Sequence, residues 1–141
     1  DPAISRTWLT LSCAAAAVFG HVWPIYHSFR GGKGGATLIG TLVILAPQLI
    51  IVVLLAWGGM LVVTGFVGLS TMTAATAAAL WVAVTRLPED QPLFIYLASM
   101  ALFVIYWHRA NIQRMRAGTE DRKVRVMLFK PRESQGDNDQ P

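Results

Sequence analysis

Of the 141 residues, 54% are hydrophobic and only 14% are charged, against about 25% charged in ordinary soluble domains. That balance argues against a water-soluble globule and for a single all-α, polytopic membrane helix bundle, with no nucleic-acid partner. Cys13 is the only cysteine, which excludes an internal disulfide.

The expected bundle covers residues 1–133 in about five membrane segments, followed by a polar, disordered tail over 134–141. No secretory signal is expected, because no basic region precedes the first apolar run. The chain opens on Asp1 rather than Met, so it reads as a piece of a longer protein.

The first segment is expected over 7–20, extending to 23, and is short for a crossing. The next begins after a polar glycine-rich stretch, near residue 36, and stops near 46. Pro47 breaks it, because proline lacks the donor N–H and clashes with the preceding turn. Eleven residues rise only about 17 Å as a helix, so this element is read as short or partly inserted. A third segment runs over 47–66, with Pro47 in its first turn, where proline is tolerated. The fourth runs over 69–85 and the fifth over 92–107. Pro88-Glu89-Asp90-Gln91-Pro92 makes the turn between them. From Gly34 to Thr85 there is no Asp, Glu, Lys, Arg or His, enough for more than one span of about 20 residues.

The fourth segment is rich in Ala, Ser and Thr, from Ser70 to Ala79. Small side chains allow close helix approach in lipid, so this helix is expected at the centre of the bundle. The Ile-, Val- and Leu-rich third segment is expected to face lipid.

Eight of the twelve Lys and Arg residues lie between Arg109 and Arg132, and Arg30 with Lys33 forms the other basic spot. The positive-inside rule puts both in the cytoplasm and the acidic Glu89-Asp90 turn outside.

Two polar patches carry the chemistry. Gly31-Gly32-Lys33-Gly34-Gly35 lies just before a helix start, with His21, His27, Ser28 and Arg30 nearby. Glycines leave backbone N–H groups uncovered, lysine adds a mobile positive charge, and a helix N-terminus favours anions. The stretch is not a Walker A motif, since His27 and Gly34 stand where that pattern needs Gly and Ser or Thr. Its plain alternative is a flexible turn.

The second patch, His108 to Glu120, follows the last span directly. If the helix continues, His108 and Asn111 share a face. Arg109 and Arg116 lie elsewhere on the surface, where a basic collar at lipid headgroups is the alternative. Gly118 reads as a helix C-cap. Ser70 and Thr71 follow a turn expected on the same side; their hydroxyls are expected to cap the fourth helix, or else to line a shared polar site. No carboxylate lies near His21 or His27 for a Ser-His-Asp triad, and no His/Glu spacing suggests zinc, so no metal and no cofactor are assigned.

These residues resemble the bacterial acyl-phosphate-dependent glycerol-3-phosphate acyltransferases. Gly20-His21-x-x-Pro24 with Phe29-x-Gly31-Gly32-Lys33-Gly34 is similar to that family's second cytoplasmic motif. His108-Arg109-x-Asn111-Ile112-x-Arg114 with Gly118-Thr119-Glu120 is similar to its third. Gly35 stands where valine is usual, Trp23 where Phe or Tyr is usual, and Thr64-Gly65 where a Thr-Arg pair is common. The Gly35 change is expected to loosen the loop.

The resemblance implies a seven-span fold whose first two spans, and the serine- and arginine-bearing motif between them, have no counterpart in these residues. It further implies acyl transfer from acyl phosphate to the 1-hydroxyl of glycerol 3-phosphate at the bacterial inner membrane, giving lysophosphatidic acid. On that basis Gly31, Gly32, Lys33 and Gly34 bind the substrate phosphate, and His108 and Asn111 are catalytic. His21, Ser70, Thr71 and Arg109 line the site, and Glu120 is structural. A non-catalytic multi-pass subunit or a transporter-like protein is the competing reading. Transport would call for ionisable groups in mid-membrane or broken helices in two halves.

Overall fold

The computed structural model describes residues 2–123; the tail expected over 134–141 lies outside them. Six α-helices follow in order: α1 Pro2–Val22, α2 Gly35–Leu45, α3 Leu49–Thr64, α4 Val67–Arg86, α5 Gln91–Trp107 and α6 Arg109–Arg116. A single 3₁₀ turn, Ile25–His27, interrupts the α1–α2 connection. Among the described residues the fold is all-helical, as composition and periodicity suggest.

The helix boundaries follow local chemistry, with three departures from the expected elements. First, α1 has 21 residues rather than a clipped span; Arg6 and its neighbours join the helix instead of preceding it, giving about 31 Å of rise. Second, Pro47 stands before α3 rather than inside it. α2 ends with the Ala46 N–H donating to Leu42 O at 2.9 Å, and Leu49 N–H then donates to Ala46 O at 2.9 Å across a tight turn. Third, α5 does not run on through the second polar patch. The chain bends by 52° at His108 before α6 begins. The Val104 carbonyl accepts from both His108 N–H (3.0 Å) and His108 Nδ1 (2.8 Å). That side-chain bond closes α5 and leaves His108 with non-helical φ −91° and ψ 8°.

α4 is the centre of the bundle and packs against both α3 and α5. Met72, Ala74, Ala75, Ala78, Ala79 and Val82 bury its inner faces against Leu93, Tyr96, Leu97, Met100, Ala101 and Val104 of α5 and Leu49 and Val53 of α3. α3 turns Ile51, Leu54, Leu55 and Val63 outward, the surface expected of a lipid-facing helix. Gly65 ends α3 at φ 73°, its N–H donating to Leu61 O at 2.7 Å; a left-handed cap of this kind suits glycine. By length and apolarity alone, α4 is the one helix among the described residues able to cross a bilayer. The bent α5–α6 pair makes a second if counted as a single span. Helix length and apolarity alone thus count one or two crossings among the described residues.

Candidate functional site

The glycine-rich loop folds back onto the end of α1. A side chain at Gly31 would place its Cβ 2.1 Å from His21 O and 2.6 Å from Pro24 Cδ; one at Gly32 would lie 2.2 Å from His21 Nε2. Gly31 therefore demands glycine because a side chain would strike backbone, while Gly32 leaves room for the His21 ring. The Gly32 N–H donates to His21 O at 3.2 Å, so that amide is already used within the loop. Gly34 takes φ +80° and opens α2 as its N-cap. Gly35 is the first residue of α2 rather than part of a loosened loop. A Cβ there would meet Thr71 Cγ2 at 2.8 Å, so this position brings α2 close to α4.

Lys33 leaves the loop and donates through Nζ to Asn111 Oδ1, joining residues 78 apart in sequence. Asn111 in turn donates through Nδ2 to Glu120 Oε1, and Arg114 Nε donates to Glu120 Oε2 at 2.6 Å. The result is one polar chain: Lys33, Asn111, Glu120, Arg114. The hydrogen bonds from Arg114 and then from Asn111 hold the Glu120 carboxyl below its ordinary range, because they favour the charged form.

His108 is 4% exposed. Burial pushes its pKa below the usual 6.5, and the nearby Lys33 acts in the same direction, against the Val104 carbonyl and Glu120. A carbonyl can only accept, so Nδ1 carries the proton toward Val104 and the lone pair of the neutral ring sits on Nε2.

Around these groups lies a cleft of about 410 Å³. Its polar lining is His21, Lys33, Thr71 and His108; Ala36, Ile39, Trp57 and Val67 are among its apolar lining. Asn111 is 7% exposed and sits behind Lys33.

Ser70 and Thr71 do not cap α4. Ser70 Oγ donates to Phe66 O at 2.8 Å and Thr71 Oγ1 to Val67 O at 3.0 Å, each one turn back in the same helix. A hydroxyl with an i−4 carbonyl in reach satisfies itself there. Ser70 is fully buried, whereas Thr71 reaches the cleft. Arg109 is not among the residues lining the cleft; its guanidinium stacks 4.5 Å from the Tyr106 ring centroid and 5.3 Å from that of Trp107. Gly118 does end α6. It takes φ +71°, its N–H donates to Met115 O at 3.2 Å, and Thr119 N–H donates to Arg114 O at 2.9 Å, the paired bonds of a Schellman cap.

Sequence reasoning missed Trp57, which walls the cleft from α3. It also missed the close approach of Gly68 to Asn111 (3.1 Å from an ideal Cβ to Nδ2). A tryptophan in an apolar helix carries no sequence signal of a site, and a glycine after a turn reads as turn chemistry. Among the described residues no three His, Cys, Asp or Glu side chains gather as a metal site would require.

Fold and cleft together define a helical bundle of membrane composition with a lysine- and histidine-lined cleft at one end. The family model described as glycerol-3-phosphate acyltransferase matches residues 3–118, and the chain belongs to that family. A glycerol-3-phosphate acyltransferase of Halalkalibacterium halodurans is 40% identical over 117 residues, which is 82% of this chain and 57% of the relative. One from Aquifex aeolicus is 34% identical over 116 residues, 82% of this chain and 59% of the relative. The crystal structure of PlsY, an integral membrane glycerol 3-phosphate acyltransferase in its glycerol 3-phosphate form, superposes with a TM-score of 0.76. It is 31% identical, and the match covers 82% of this chain and 56% of that one. The chain thus spans a little over half the length of these relatives.

Proposed function

We propose that the full-length protein transfers an acyl group from acyl phosphate to the 1-hydroxyl of glycerol 3-phosphate. The products are lysophosphatidic acid and inorganic phosphate. The observation that carries this reading is the convergence of Lys33, His21 and His108 on one cleft that Ala36, Ile39, Trp57 and Val67 also line. A phosphate head and a fatty chain need that pairing. The relatives' name and the glycerol 3-phosphate and lysophosphatidic acid forms of the PlsY structure support the substrate and product.

In this reading Lys33 Nζ and the uncovered amides at the start of α2 hold the phosphate of glycerol 3-phosphate. Gly31 and Gly32 shape the loop that presents them. Nε2 of neutral His108 accepts a hydrogen bond from the 1-hydroxyl and orients it. The hydroxyl oxygen attacks the acyl carbonyl carbon, a tetrahedral oxyanion forms, and the bond from carbonyl carbon to phosphate oxygen breaks. The departing phosphate takes up the hydroxyl proton. Acyl phosphate already has a good leaving group, so positioning and charge stabilisation supply most of the rate. Asn111 and Glu120 keep Lys33 in place, Thr71 lines the phosphate side, and Arg109 belongs to the interfacial collar. The helices α1 to α5 are the five membrane segments, with the loop and α6 on the cytoplasmic face of the inner membrane.

The test is reconstitution of the full-length gene product with acyl phosphate and labelled glycerol 3-phosphate. Lys33→Ala removes a charge-assisted bond worth about 1.5–3 kcal/mol and should raise KM for glycerol 3-phosphate roughly ten- to a hundredfold. Wild-type kinetics in that variant would refute the phosphate role.

A further inference from the structure

The geometry points to Gly68 as a positioning residue: the lack of a side chain at this point of α4 is what lets α6 seat Asn111 between Lys33 and Glu120. This rests on the phosphate role proposed for Lys33 and adds the element that holds it.

α6 has only eight residues, three of them arginine, and a helix this short does not stand alone. Its support is the α3–α4 turn. An ideal Cβ at Gly68 would lie 3.1 Å from Asn111 Nδ2 and 3.2 Å from both Cβ and Cγ of Asn111. Just beyond α6 the Lys123 N–H donates to Gly65 O at 2.9 Å, and the Arg122 guanidinium lies 4.7 Å from the Phe66 ring centroid. Three features of the α3–α4 turn and the start of α4, at 65, 66 and 68, therefore grip the segment from 111 to 123. Asn111 cannot retreat from an added methyl without loss. Its Oδ1 is held by Lys33 and its Nδ2 by Glu120. A displacement of a few tenths of an ångström passes to both bonds and frees the lysine head from its fixed position.

Steady-state kinetics of the full-length gene product test this. Gly68→Ala should raise KM for glycerol 3-phosphate about fivefold while kcat changes by less than about twofold. In an Asn111→Ala background the same substitution should change KM by less than about 1.5-fold, because no amide is left to displace. A loss of helix packing in general would not show that non-additivity. Wild-type KM in Gly68→Ala, or an equal factor in both backgrounds, overturns the proposal.

A second measurement stands if Gly68→Ala fails to accumulate. The pair Gly68→Cys and Asn111→Cys, in an otherwise cysteine-free protein, should close a disulfide under mild oxidation, since Cβ atoms at 3.2 Å need part by only a few tenths of an ångström to reach the roughly 3.5–4.5 Å of a bridged pair. Failure to crosslink overturns the seat. If the disulfide forms while Lys33→Ala keeps wild-type KM, the phosphate reading falls and the seat stands. If Lys33→Ala behaves as expected but no bridge forms and Gly68→Ala is silent, the seat alone falls.

Discussion

At the scale of single residues, His108 decides what the cleft can do with a proton. Its side chain is buried, and that burial outweighs the opposing pull of the Val104 carbonyl, so the ring is held neutral at lower pH than a free imidazole. The sign of the linkage follows. Between the ordinary value near 6.5 and the lowered value in the fold, the unfolded chain binds a proton that the folded chain does not. Stability therefore falls as pH drops through that window and is unaffected above it. Glu120 acts with the same sign at more acid pH, because its carboxyl is also lowered. NMR of the full-length protein labelled at the histidine Cε1, assigned with His108→Asn, should show this ring titrating below the free-imidazole midpoint. A midpoint at or above 6.5 would mean that burial does not favour the neutral ring, and the acid-side loss of stability would not appear.

At the scale of elements, small residues make α4 the axis of the fold. Ala78 is 1% exposed and is flanked by buried Ala74, Ala75 and Ala79. Replacing it with leucine inserts volume where helices already touch, which costs about 1–3 kcal/mol. Ala78→Leu should therefore lower the thermal midpoint in detergent, while KM for glycerol 3-phosphate in the surviving fraction stays near wild type. An unchanged midpoint would mean that this face is not tightly packed. The positions of α2, α4 and α5 were readable from apolar runs, Pro47 and the acidic turn, because those signals are local. The bend at His108 was not readable, since it depends on one imidazole bonding to its own helix. Nor was the use of Ser70 and Thr71, whose hydroxyls had two possible sets of partners and found the nearer one. At the site, Lys33, His21 and His108 were legible as residue types beside glycines. The link from Lys33 through Asn111 to Glu120 spans most of the chain, and only the packing of α6 on the α3–α4 turn creates it.

At the scale of the whole molecule, polar chemistry is sorted to opposite ends of α4. Near Val67 stand Lys33, Asn111, Glu120 and His108; near Arg86 stand Asp90 and Gln48. Arg86 pairs with Asp90 at 3.4 Å, and Gln48 Oε1, with its amide turned to suit, accepts from Arg86 Nη1 at 3.0 Å. Twenty residues of helix separate the two sets by about 30 Å, the hydrocarbon thickness of a bilayer. Between them the exposed surface is Ile51, Leu54, Leu55, Leu80, Val84 and Leu102, which only lipid or further helices would tolerate. In the proposed reaction a charged acceptor and a fatty donor meet where such a surface ends, and the cleft lies at one end of α4 rather than in its middle. Cysteine labelling tests the sidedness. In cysteine-free, full-length protein in intact cells, Glu89→Cys should react with a membrane-impermeant maleimide, while Arg116→Cys should react only after the cells are opened. Reaction of both from outside would break the common cytoplasmic face proposed for the glycine-rich loop and α6, whatever the kinetics of Lys33→Ala.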